Sequence, residues 1–165
     1  MKALVTGAAG FIGSTLTDRL LSEGWTVRGV DSFASYYDPS LKRSNIAHLD
    51  DVEDFELCEA DLATLELPPL LDDVDVVFHL AGQPGVRLSW AEGFHTYSET
   101  NIEITQRLLE ASRGCKLDRF VYASSSSVYG DVETVPTGED HPTRPYSPYG
   151  VTKLAGEHLC SAYAH

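Results

Sequence analysis

Met1-Lys2-Ala3-Leu4-Val5-Thr6-Gly7-Ala8-Ala9-Gly10-Phe11-Ile12-Gly13 opens the chain, and its reading decides the fold. A short apolar run, three spaced glycines and then Leu16, Leu20 and Leu21 at helical spacing predict a strand, a tight turn and a helix. In that geometry each glycine has a separate task. Gly7 permits the turn, Gly10 lets backbone N–H groups approach a pyrophosphate, and Gly13 lets the helix pack on the strand. An anion then sits on the helix N-terminus, against Phe11 and Ile12. The spacing GxxGxxG is one residue longer at its start than GxGxxG, and a glycine-rich turn of this kind also occurs without a ligand.

Working outward, a second strand from Trp25 to Val30 ends at Asp31, eighteen residues after Gly13. An acid at that strand tip can accept both ribose hydroxyls of an adenosine and repels a 2′-phosphate, which favours NAD over NADP. Asp31-Ser32 is also ordinary turn chemistry.

The alternation continues. Phe55 to Cys58 reads as a third strand, Asp75 to Leu80 as an apolar fourth strand buried on both faces, and Asp118 to Ala123 as a fifth. Glu103 to Ser112 carries a helical stripe of Ile104, Leu108, Leu109 and Ala111. Strands alternating with helices predict an α/β fold with a doubly wound parallel sheet. The polar, proline-rich segment from Thr134 to Ser147 reads as a loop delivering Tyr149 to the carboxyl edge of the sheet, where open α/β folds bind ligands. Pro148 suits a helix start. Tyr149 and Lys153 then share one helix face, so the ammonium can favour a phenolate. Two surface residues are the plainer reading of that pair.

The chain has 165 residues, 42% of them apolar, and a formal net charge of −13. This is one domain's length, with enough apolar residues for a core. The charge argues against nucleic acid and anionic membrane as partners, and no apolar run spans a bilayer. Cys58, Cys115 and Cys160 are odd in number and lack CxxC spacing, which predicts reduced thiols and a cytoplasmic setting. The opening run is cut by Thr6 and Gly7 and is not a signal peptide. Because a dinucleotide is itself an anion, local donors must offset the acidic field: the loop amides, Lys42 and Arg43, Arg87 and Lys153. His79 is read as a hydrogen-bonded core histidine in preference to a ligand, and no cluster has metal-site spacing.

Taken together, the Gly7 to Gly13 loop, Asp31, His79-Leu80-Ala81-Gly82, Asn101, the run Ala123 to Gly130 and Tyr149xxxLys153 resemble the extended short-chain dehydrogenase/reductase family, and within it the sugar-nucleotide epimerases. The resemblance spans the whole chain and implies a Rossmann-type sheet that binds NAD. It places Gly7, Ala9, Gly10, Phe11, Ile12, Gly13, Asp31 and Ser32 around the adenosine diphosphate, and Asp61 and Leu62 around the adenine. Leu80, Ala81, Gly82, Gln83, Asn101 and Ser124 fall on the remainder of the cofactor. Ser125, Tyr149 and Lys153 match the catalytic positions, with Lys153 also on the nicotinamide ribose.

Related dehydratases and decarboxylases commonly have an acidic residue after the catalytic hydroxyl, where this chain has Ser126 and Ser127. Without that carboxylate no acid/base is evident for removing the carbon-5 proton, whereas epimerisation at carbon 4 needs only Tyr149, Ser125 and the dinucleotide. The loop Gln83 to Trp90, including Pro84, Gly85, Val86 and Arg87, and the segment Asp31 to Lys42 are similar to those of UDP-glucuronate 4-epimerases. The implied substrate is a UDP-hexuronate. Its carboxylate, β to the transient ketone, must be held so that carbon dioxide does not leave; Ser126, Ser127 and Arg87 are the donors placed for it.

Members of that family are longer, with a second part that completes the sheet and most of the sugar-nucleotide pocket. The resemblance therefore implies that residues 1–165 are the NAD-binding portion and that the substrate-binding part lies elsewhere: in more of the same chain, lost by truncation, or on a second polypeptide. Another sugar-nucleotide epimerase, dehydratase or decarboxylase, a non-catalytic NAD-binding module and an interaction protein on an inactive fold are the competing readings. The resemblance also implies a homodimer through helices around Ser98 to Ser112 and Pro148 to Ala162.

Overall fold

Strand β1 (Lys2–Thr6) sits at the centre of a five-stranded sheet with β2 (Thr26–Asp31), β3 (Phe55–Glu59), β4 (Val76–His79) and β5 (Arg119–Tyr122), in the order β3-β2-β1-β4-β5. The computed structural model describes residues 1–132 and 134–164. The pairings of β1 with β2, β1 with β4 and β2 with β3 are parallel. Register places Thr6 opposite both Val30 and His79, and Asp31 opposite Glu59. This is the expected Rossmann-type order: the sheet reverses direction of growth at β1, and the crevice at such a switch point is where α/β folds bind nucleotides. Each expected strand is present, with its bounds shifted by no more than one residue.

The described residues divide into two compact units: Met1–Ala81 with Ala111–Val121, and Gly82–Glu110 with the residues from Tyr122 onward. In the first, Leu4, Val5, Val27 and Val77 are fully or almost fully buried, as strands covered on both faces require. Helix α1 (Phe11–Ser22) buries Leu20 against Ala3, Val5, Ala8 and Val27. Gly29 on β2 is the opening that lets the loop come close, since a Cβ there would lie 2.9 Å from the Ala8 Cβ and 3.0 Å from the Phe55 ring. Helix α2 (Pro39–Ile46) was not expected. Asp38 caps it by accepting from Ser40 N at 2.9 Å, and Pro39 occupies its first turn. That bond also holds the Asp38 carboxyl below its ordinary pKa.

In the second unit, α3 (Phe94–Ser98), a π-helical turn at Glu99–Glu103 and α4 (Ile104–Ser112) run in succession. The Glu103 to Ser112 stripe covers only the last of these. Helix α5 (Pro148–Tyr163) begins where expected: Ser147 Oγ accepts from Gly150 N at 3.1 Å and Pro148 fills the first position. Among the described residues no helix is long and apolar enough to cross a membrane.

Candidate functional site

The loop between β1 and α1 has the shape an anion needs. Gly7 adopts φ +70°, and a Cβ on it would meet Ala81 N at 3.0 Å; on Gly13 it would collide with Gly7 O and lie 2.8 Å from Gly7 C. Only glycine allows those backbone approaches. Helix α1 has Gly10 at its N-cap, no side-chain cap and no acid in its first turn, while Phe11 and Ile12 are 81% and 65% exposed. Its first-turn N–H groups are thus left to an external acceptor. These features fit the pyrophosphate of a dinucleotide.

Thr6 fastens the opposite wall of that crevice. Its Oγ1 accepts from Leu80 N at 3.1 Å and Ala81 N at 3.0 Å and lies 2.8 Å from His79 Nδ1. Two accepted bonds use the hydroxyl's two lone pairs, so its proton goes to His79 and Nδ1 is the acceptor. His79 is 1% exposed and packs edge-on to Phe120. It is the hydrogen-bonded core histidine its position suggested.

Asp31 ends β2 as expected, but it is already engaged. Oδ1 accepts from Phe33 N at 2.8 Å and from Lys42 Nζ at 2.7 Å, and Oδ2 accepts from Ala9 N at 3.1 Å. The turn reading of this residue holds, since it accepts from Phe33 N two residues on and from Ala9 N of the glycine loop. Lys42 and Arg43, expected as donors to an anion, are paired with Asp31 and Glu59 respectively. Arg43 bonding holds the Glu59 carboxyl low. Ser32 is exposed, as is Asp61, whose Oδ1 accepts from Ala63 N at 2.9 Å; Leu62 is buried.

The second unit gathers the other candidates. Asn101, on the π-helical turn, is 1% exposed. Its Oδ1 accepts from Gln83 N at 2.7 Å, and its Nδ2 donates to Gln83 O at 3.1 Å and to Thr152 Oγ1 at 3.0 Å. The amide thus ties the loop after β4 to α5. A π turn is rare and recurs at functional sites, since one extra residue per turn re-aims a side chain. Lys153 is 6% exposed. Its Nζ lies 4.6 Å from the centroid of the Tyr122 ring, and a Cβ on Gly82 would sit 3.6 Å from it and 3.1 Å from Asn101 Oδ1. Burial lowers the ammonium pKa to about 8 and pushes the Tyr122 phenol up. Tyr122 was not anticipated in this environment.

Ser125 caps the 3-10 turn at Ser126–Val128, its Oγ accepting from Ser127 N at 3.2 Å. That turn abuts the first turn of α5, because a Cβ on Gly150 would come within 2.6 Å of Ser127 O. Ser127 is therefore packed at the helix end that carries Tyr149. Ser124 donates to the carboxylate of Glu157. Tyr149 meets the ring of Tyr97 edge-on at 6.1 Å, and the Tyr97 hydroxyl reaches Pro84 O at 2.9 Å and Gly85 O at 2.7 Å. No motif pointed to Tyr97; its 2% exposure arises only when the loop folds over it. Gln83, Arg87, Trp90, Glu92, Thr96 and Tyr97 help line a cavity of about 570 Å³. Val86 is exposed, and Ser125, Ser126, Ser127 and Tyr149 are not among the residues lining that cavity. Among the described residues no group of His, Cys, Asp and Glu could hold a metal ion.

Known proteins are similar to this chain. An uncharacterized UDP-glucose epimerase of Bacillus subtilis, YtcB, is 49% identical over 99% of the chain and 52% of its own length. UDP-glucuronate 4-epimerase 1 of Arabidopsis thaliana is 42% identical over 100% of the chain and 39% of its own. The crystal structure of a UDP-glucuronic acid 4-epimerase from Bacillus cereus, in complex with UDP-glucuronic acid and NAD, superposes with a TM-score of 0.95 at 49% identity, covering 99% of this chain and 52% of that one. The chain spans about half the length of the first two bacterial proteins and less of the plant enzyme. The NAD dependent epimerase/dehydratase family matches residues 3–165, and with the glycine cradle, the β2 acid and the Tyr149–Lys153 helix on one Rossmann-type chain, this protein belongs to that family.

Proposed function

We propose that this chain is the NAD-binding portion of a UDP-glucuronate 4-epimerase, interconverting UDP-glucuronate and UDP-galacturonate. One observation carries the reading: the turn Ser126–Val128, capped by Ser125, lies against the first turn of α5, where the Ser127 carbonyl meets Gly150 of the helix that holds Tyr149 and the buried Lys153. When bound, NAD supplies a reversible hydride acceptor. Gly7, Gly10 and Gly13 would hold the pyrophosphate with the α1 amides, and Asp31 would face the adenosine ribose. The Tyr149 phenolate takes the proton of the 4-hydroxyl and, as the phenol, later returns it, while Ser125 hydrogen-bonds the same oxygen. Lys153 supplies positive charge one helical turn on from Tyr149. Ser126 and Ser127 donate to the substrate carboxylate, which keeps it out of line with the ketone, and Arg87 contributes charge from the cavity wall.

The substrate class rests on the similarity to the Bacillus cereus and Arabidopsis enzymes. A UDP-glucose reading is favoured by the name of the Bacillus subtilis relative. Incubating the protein, with its substrate-binding part present, with UDP-glucuronate and separately with UDP-glucose, and separating the 4-epimers by chromatography, distinguishes the two. Conversion of UDP-glucuronate is the expected result; conversion of UDP-glucose alone would refute the hexuronate assignment. A homodimer through the helix faces around Ser98 to Ser112 and Pro148 to Ala162 belongs to the proposal, as does a cytoplasmic setting, which the three free cysteines support.

A further inference from the structure

Asp31 at the end of β2 is a carboxylate whose side chain is 2% exposed, and Lys42, 13% exposed, reaches it from α2 at 2.7 Å. The pair is built in. Phe33, between them in sequence, adopts φ +50°, a region non-glycine residues enter only when the surroundings hold them there. Its N–H is bonded to Asp31, and the Arg43 guanidinium lies 4.3 Å from its ring centroid. Asn45 adds a second tie from α2 to the glycine loop, donating to Ala9 O at 3.0 Å.

The charges at this end of the cradle cancel. Lys42 offsets Asp31 and Arg43 offsets Glu59. A bare acid at the strand tip would oppose a 2′-phosphate with a full negative charge, whereas an acid paired with an ammonium presents only a dipole. We propose that Lys42 is a specificity-determining residue for the dinucleotide: by neutralising Asp31 it limits rejection of a 2′-phosphorylated adenosine ribose and so sets the size of the preference for NAD over NADP. The inference rests on the reading of this loop as an NAD site.

The test is calorimetric titration of the 165-residue chain with NAD and with NADP, in wild type, Lys42→Met and Lys42→Arg, at low and at high salt. Lys42→Met should raise the NAD-to-NADP affinity ratio by about fivefold to tenfold at low salt, the effect of removing one charge beside a phosphate, with the increase shrinking at high salt. Lys42→Arg, which keeps the charge, should leave the ratio within about twofold of wild type on the same grounds. A merely structural Lys42 would weaken both dinucleotides alike, and an unchanged ratio in Lys42→Met would overturn the proposal. Lys42→Gln serves if the methionine variant does not fold. Failure of wild type to bind either dinucleotide would instead overturn the NAD reading, and the proposal with it.

Discussion

The Thr6 hydroxyl lies 2.8 Å from His79 Nδ1 across the paired strands β1 and β4, while accepting from Leu80 N and Ala81 N. One side chain thereby holds the backbone at the end of β4 next to Gly7, whose missing Cβ leaves room for Ala81. Thr6→Val keeps the volume and removes the oxygen. Leaving two half-buried amide donors and a buried imidazole nitrogen without the hydroxyl costs roughly 1–3 kcal/mol per group, so denaturant unfolding should show a loss of at least about 2 kcal/mol. A loss under half of that would mean the β4 end is held by other contacts.

Gly13→Ala places a methyl group against backbone: Gly7 O, Gly7 C and Ala8 Cα, the last at 2.9 Å. Neither the strand nor the helix can yield without moving the anion-binding amides. Overpacking of this kind costs about 1–3 kcal/mol. Fluorescence titration should show NAD affinity reduced by about tenfold or more even where the variant stays folded, because 1.4 kcal/mol of lost amide geometry is already a factor of ten.

Lys153 titrates in the folded chain near 8, lowered by burial from 10.5. Between those values the unfolded chain binds more protons than the native one, so stability rises as pH increases from about 8 to 10.5 and is flat with respect to this group below 8. The full rise is roughly 3 kcal/mol at 1.36 kcal/mol per pKa unit. Lys153→Met should lack it, and urea unfolding at pH 7 and pH 10 on both proteins gives the comparison. Equal pH slopes would show that the ammonium is better solvated than its 6% exposure indicates.

Tyr149→Phe removes an oxygen and keeps the ring that meets Tyr97 edge-on at 6.1 Å. On the proposed mechanism, epimerisation falls by about two to four powers of ten while NAD titration is unchanged. A drop of less than tenfold would place proton transfer on another group.

Much of this was legible in the sequence. The strand-turn-helix at Lys2 to Ser22 and the five strands could be read because strand, helix and glycine-turn patterns repeat over a few neighbouring residues. Tyr149 and Lys153 could be placed on one helix because they are four apart behind a proline suited to starting one. The sequence also assigned Asp31 to the strand tip and His79 to the core. Only tertiary structure decided their partners. Lys42 reaches Asp31 from eleven residues away through a helix no periodicity announced; Asn101 reaches Thr152 across fifty-one, from a π turn whose extra residue no pattern marked. Lys153 rests on Tyr122 across thirty-one, and that burial, not its spacing from Tyr149, lowers its pKa. Backbone preference is set by adjacent residues, whereas the charge, burial and hydrogen bonding of a side chain are set by whichever surface packs against it, and that surface exists only once the chain has closed on itself.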